Sequence, residues 1–117
     1  MISEIGVDIV AVERFSHYSE KSDVNLSKLF TSDELEYCFK KKDPSNSLAG
    51  KFAAKEAVIK ILANQGVSIS HSKDIEILND DNGKPFVNSC PLEKVIDKIK
   101  ISVSHDGGFA IAIALME

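Results

Sequence analysis

The chain is short of several features, and each shortage excludes something. Two cysteines, Cys38 and Cys90, stand too far apart to form a metal-binding or redox motif, so reduced structural thiols are expected. No apolar run approaches the roughly 20 residues needed to span a bilayer. The N-terminus carries no basic segment followed by an apolar core. A cytoplasmic protein without membrane association is therefore expected. Surplus positive charge is also missing: 14 Lys and Arg against 18 Asp and Glu leave a net charge of −4, which argues against a general nucleic-acid binder. There is no internal repeat and no low-complexity stretch. Ser102 and Ser104 lack the G-x-S-x-G surroundings of a nucleophile elbow. His17 and His71 have no visible partner residues.

What is present fits one globular domain, residues 1–117, with 44% hydrophobic and 27% charged residues. ISEIGVDIV alternates as a strand, with Ile5, Val7 and Ile9 on one face and Glu4, Gly6 and Asp8 on the other. AVERFSHYSEK has helical spacing that puts Arg14 and Lys21 on a shared face. TSDELEYCFKKK predicts a second helix capped by Thr31 or Ser32, with Glu34 and Glu36 in its first turns. A long helix is expected from about 47 to 64, ended by Gly66. DIEILND and PFVN predict a hairpin turning at Asn82-Gly83, and CPLEKVIDKI a short amphipathic helix. KISVSHDGGFAIAIALM predicts a second hairpin turning at 106–108. The fold class is α+β: a small, largely antiparallel sheet packed with helices.

The last strand is apolar on both faces, Phe109, Ile111, Ile113 and Leu115 on one and Ala110, Ala112, Ala114 and Met116 on the other. Both faces then need cover. Helices of the same chain supply one. Outward-facing alanines would suit close packing against another subunit, and an internal loop is the alternative.

In KFAAKEAVIKIL the residues Phe52, Val58, Ile59 and Leu62 share one broad arc, and Glu56 and Lys60 lie along its border. An exposed Glu–Lys pair four residues apart is the ordinary explanation, worth about 0.2–0.5 kcal/mol. Lys55 projects between Ile59 and Leu62, where snorkelling of its ammonium into water is expected. Asp8 interrupts an apolar strand; it either caps the helix expected next or ligates a metal. Two carboxylates from separate elements, Asp8 and Glu56, suit Mg²⁺, which takes oxygen ligands and keeps positions for water and phosphate. His105 beside the DGG turn reads, viewed alone, as a turn histidine. The run Lys40, Lys41, Lys42 is either a solvated end or a landing place for an anion.

Three stretches in order, GVDIVAVERF, AGKFAAKEAVIK and ISVSHDGGFAIA, with NGKPFV between the last two, resemble the short, single-domain holo-acyl-carrier-protein synthases of the 4′-phosphopantetheinyl transferase superfamily. The resemblance implies that fold and a reaction: 4′-phosphopantetheine passes from coenzyme A to a serine of apo acyl carrier protein, releasing adenosine 3′,5′-bisphosphate. It implies Asp8 and Glu56 as Mg²⁺ ligands, with Glu56 and Lys60 catalytic and Lys60 contacting phosphate. Gly83, Lys84, Pro85 and His105 would line the coenzyme A site, and Arg14 with Lys21 would receive the acidic carrier. It implies a homotrimer with active sites between subunits. Either Glu56 or a metal-bound water would take the serine proton. Lys51 stands where the family often has arginine, and Val10 where larger two-domain relatives carry a second acid.

Two other classes fit parts of the pattern. A non-catalytic coenzyme A or carrier-binding module would be marked by loss of a metal ligand, yet Asp8 and Glu56 are both present. A Mg²⁺-dependent phosphohydrolase would consume coenzyme A and leave the carrier unchanged.

Overall fold

The structure is a computed structural model describing residues 1–117. β1 (Glu4–Ala11) leads into a 3-10 turn (Val12–Phe15), the short α1 (Val24–Ser27), α2 (Ser32–Cys38) and the long α3 (Ser45–Asn64). A 3-10 turn at Ser72–Asp74 precedes the hairpin β2 (Glu76–Asn79) and β3 (Pro85–Ser89). A third such turn (Glu93–Lys98) leads to β4 (Ile99–Asp106) and β5 (Phe109–Met116). β5 lies between β1 and β4, antiparallel to both, and β2–β3 form a separate two-stranded sheet.

Several signals in the sequence act as expected. Thr31 caps α2 in a reciprocal box: its hydroxyl accepts from the Glu34 amide and Glu34 Oε1 accepts from the Thr31 amide. Gly66, at φ +82°, ends α3, and the Val67 amide donates back to the Leu62 carbonyl, closing the helix end. Gly107 and Gly108 both take positive φ in the tight β4–β5 turn.

Four expectations fail, each for a physical reason. The helix expected over 11–21 is only the turn Val12–Phe15, because β1 continues to Ala11 in register with Phe109. Arg14 and Lys21 therefore share no helical face. The stretch 90–99 forms a 3-10 turn rather than an α-helix. At the β2–β3 connection only Gly83 has positive φ. The link is a longer loop organised by Asp80, whose side chain accepts from the amides of Asn82 and Lys84.

The fourth concerns which face of the sheet is covered. Ala110, Ala112 and Ala114 are fully buried against α3, and the Ile face points outward. Gly6, level with Ala114, shows why: a Cβ there would lie 2.1 Å from the Ala57 carbonyl oxygen. Small residues let the helix lie directly on the strands. Left outside are Ile5 (61% exposed), Val7, Ile9 (62% exposed), Phe109, Ile111 and Ile113, a continuous apolar strip across β1 and β5.

α3 is the centre of the molecule. It packs on β1, β4 and β5 with one side and on α2 and β2 with the other, so it is buried almost all round from Leu48 to Val58 rather than along one arc. Phe15, Phe30 and Phe52 meet at ring-centroid distances of 5.7–6.4 Å beside it. No helix is long and apolar enough to cross a membrane.

Candidate active site

β1 and α3 bring the first group of residues together. Asp8 is on the helix-facing side of β1, opposite Ala112, whose small side chain leaves space above the sheet. Lys60, from α3, donates to the Val7 carbonyl at 2.6 Å and reaches Asp8 Oδ1 at 3.4 Å. Glu56, one turn earlier, feels both: burial first, and then the Asp8 charge, hold its carboxyl above the ordinary glutamate range, while Lys60 and Arg14 pull the other way. Two carboxylates thus approach each other in a half-buried place with an ammonium at the edge. The donors are oxygens without sulfur or imidazole, and no third acidic, histidine or cysteine side chain completes a cluster. A hard divalent cation that leaves positions open for other oxygens fits this set.

Arg14 comes to the same place by a route the sequence did not indicate. Its guanidinium lies over the Phe52 ring, 4.6 Å from the centroid, close enough for its charge to act on Glu56. Lys21 is elsewhere, in a 2.5 Å ion pair with Glu36 on the surface. A groove of about 370 Å³ opens beside Glu56, with Phe52, Ile59 and Ile69 along it and Lys28 and His71 at its polar positions. Nothing in the sequence marked His71, because its relation to Glu56 is purely tertiary.

The second group surrounds a cleft of about 200 Å³ on another side of α3. Gly83 and Pro85 from the β2–β3 connection and His105 from β4 all line it, as do Tyr37, Lys41, Gly50 and Lys51. Lys84 is exposed between Gly83 and Pro85 and is not part of the wall. His105 Nε2 lies 2.8 Å from the Asn46 carbonyl oxygen. A carbonyl only accepts, so Nε2 is the donor in this contact. Gly50 makes room, since a Cβ there would come within 3.0 Å of that Nε2. Lys41 gives the lysine run a place beside a ligand-sized space.

Lys51 and Lys55 are the larger surprise. Lys55 is fully buried and pairs at 2.5 Å with the equally buried Glu34, so its ammonium does not snorkel into water. Burial pulls its pKa down, and the Glu34 carboxylate opposes that. Lys51 is buried too, donating to the Ile77 carbonyl and to Asn79 Oδ1, each at 2.6 Å.

Comparison with known proteins identifies the pattern. Residues 4–114 match the family model described as the 4′-phosphopantetheinyl transferase superfamily. The chain is 44% identical over 115 residues to the holo-[acyl-carrier-protein] synthase of Chlorobaculum tepidum, with 97% of each chain covered. It is 43% identical over 118 residues to that of Protochlamydia amoebophila, covering 95% of this chain and 94% of the other. Among solved structures it superposes on the Bacillus anthracis holo-(acyl-carrier-protein) synthase in complex with CoA (3′,5′-ADP), with TM-score 0.78, 32% identity and coverage of 100% and 97%. The Helicobacter pylori enzyme in complex with coenzyme A gives 0.75, 32%, and coverage of 97% and 100%.

Proposed function

The chain belongs to the 4′-phosphopantetheinyl transferase superfamily, and from that premise we propose how its residues divide the work of the reaction. The enzyme transfers 4′-phosphopantetheine from coenzyme A to a serine of apo acyl carrier protein. The serine oxygen attacks the phosphorus next to the pantetheine, the bond to the bridging oxygen breaks, and adenosine 3′,5′-bisphosphate leaves. The observation that carries the assignment is the meeting of Asp8 and Glu56, with Lys60 beside them.

Asp8 and Glu56 would hold Mg²⁺. Their mutual repulsion is what a divalent cation relieves, and the missing further ligands leave room for the diphosphate. Bound there, the ion supplies neutralisation of charge on the transferring phosphoryl group. Lys60, fixed to the Val7 carbonyl and half exposed, aims its remaining donors at the same phosphates. Glu56, held above the usual carboxylate range, takes the serine proton, directly or through one water. Gly83, Pro85 and His105 receive coenzyme A in their cleft, with Lys84 on its rim and Lys41 adding positive charge. Arg14 and Lys28 face the acidic carrier across the groove beside Glu56, and Lys21 contributes less because Glu36 already occupies it.

None of Asp8, Glu56 and Lys60 lines the coenzyme cleft. Gly50 and Glu56, six residues apart, point about 120° apart around α3 at roughly 100° per residue. One chain therefore presents two halves of a site. A homotrimer, packed through the Ile5, Val7, Ile9, Phe109, Ile111 and Ile113 strip, supplies the cleft of one subunit to the carboxylates of the next. The alanine face, filled by α3, is not available for this. Residues 1–117 act as one domain around a shared core, and the two free, buried cysteines suit a reducing cytoplasm.

The test is to incubate the chain with coenzyme A, Mg²⁺ and apo carrier protein and to weigh the carrier. A gain of one phosphopantetheine, lost in Glu56→Gln, is expected. Consumption of coenzyme A with an unchanged carrier would make it a hydrolase instead.

A further inference from the structure

The wall of the coenzyme cleft contains a buried cation with no carboxylate partner. Lys51 takes part in no ion pair. Its ammonium is spent on two neutral acceptors, the Ile77 carbonyl and Asn79 Oδ1, and lies 4.9 Å from the centre of the Tyr37 ring. An ammonium has three donors. Two of Lys51's are used at 2.6 Å, and the aromatic face takes up the remaining side. A lysine held in this way is poorly placed to reach out to a phosphate.

The chain of contacts continues from its acceptor. Asn79 Nδ2 donates to the Gly83 carbonyl at 3.0 Å, across the loop that joins β2 to β3. On the other side of the same strand, Glu34 Oε2 accepts from the Ile77 amide at 2.8 Å while Oε1 pairs with Lys55. Both polar groups of the Ile77 main chain are therefore held by side chains from α2 and α3. Successive turns of α3, Lys51 directly and Lys55 through Glu34, grip β2, the strand that leads into the loop carrying Gly83.

We infer that Lys51 is a positioning residue: through Asn79 it sets the conformation of the loop 80–84 that borders the coenzyme cleft, rather than binding phosphate itself. This rests on the reading of that cleft as the coenzyme A site. Gly83 is the loop's one residue at positive φ, and its carbonyl is the atom Asn79 holds, so the contact acts at the loop's point of greatest freedom. Asn79 also lines the cleft but carries no charge, so removing it leaves the Lys51 charge in place while breaking the link to the loop, and exchange measured without ligand reads that link apart from any direct attraction.

Two measurements decide it, on the intact chain. In amide hydrogen exchange without any ligand, Asn79→Ala and Lys51→Met should both speed exchange at Asn82, Gly83 and Lys84, whose amides are bonded to Asp80 in the native loop. Exchange across the centre of β5 should not change. In transfer assays and in calorimetric titration with coenzyme A, each variant should weaken coenzyme A about tenfold in KM and Kd. kcat and the KM for carrier should stay near the wild-type values. The double variant should be no weaker than the worse single one, because both break one chain of contacts. Losses that multiply in the double variant, or a loop whose exchange is unaltered in Asn79→Ala, would overturn the inference. The exchange experiment needs no coenzyme A, so it still decides the positioning role if the transferase reading itself were to fail in the carrier assay. Should Lys51→Met unfold, Asn79→Ala alone decides between the same two outcomes.

Discussion

Lys55 and Glu56 are adjacent in sequence and sit in opposite electrostatic conditions. Lys55 is fully buried, and its partner Glu34 is held by a helix cap and a strand amide as well, so every polar atom in that network is matched. Glu56 is only half buried, and one of its near neighbours is another carboxylate. The first site is closed and neutral in sum. The second is left unbalanced, and the imbalance is in the direction a divalent cation corrects. One helix carries both because a step of one residue turns the side chain by about 100°, from α2 and β2 toward β1. The Lys55–Glu34 pair is satisfied by the protein itself, whereas on the proposed reading Asp8 and Glu56 wait for a ligand.

The largest effect expected from breaking this contrast is on transfer. Glu56→Gln and Asp8→Asn keep shape while removing charge, and each should slow carrier modification by roughly a thousandfold, with an unchanged circular dichroism spectrum. A folded variant working at the wild-type rate would remove the residue from the site.

Lys55→Met should act on the other side of the contrast, on stability rather than on chemistry. It strands Glu34 in the interior and should cost about 3–5 kcal/mol in urea unfolding, as is usual when one partner of a buried pair is lost. Adding Glu34→Gln should restore much of that loss. If the single change were neutral, the pair would not be a structural element.

Assembly comes next. Ile111→Glu, in the exposed strip, should leave the monomer folded and convert the proposed trimer to monomers in sedimentation, with transfer falling in proportion. An active wild-type monomer at micromolar concentration would contradict a site shared between subunits.

The smallest effect has a sign set by the raised Glu56 pKa. A carboxyl that binds its proton more tightly in the folded chain than in the unfolded one makes stability fall as pH rises from the ordinary glutamate range through the raised value. With chelator present, Glu56→Gln should therefore melt slightly above wild type at neutral pH, and the gap should close below about pH 4, where both states are protonated. Added Mg²⁺ should raise the wild-type melting temperature and leave the variant unmoved.

Much was legible without coordinates. Local rules sufficed to put the α2 cap at Thr31 or Ser32, and for the Gly66 helix end, the Gly107-Gly108 turn and the length of α3 within two residues, because each depends on a few neighbouring φ values and hydrogen bonds. The order of GVDIV, FAAKEA and SVSHDGG was enough to name the family. Period-2 patterning also showed β5 to be apolar on both faces, which calls for cover on each.

It could not say by what. Alanine and isoleucine are both apolar, and only the approach of α3 to Gly6 decides that the alanines go inside and the isoleucines stay exposed. Nor could the sequence say that Lys55 is paired in the interior, where snorkelling was expected, while Lys60, five residues on along the same helix, stays half exposed. What buries one and holds the other beside two carboxylates is Glu34 and Asp8, 21 and 52 residues away along the chain. Charge type is written locally. Desolvation and partnership are set by which distant segments pack against each turn, and those only the folded chain supplies.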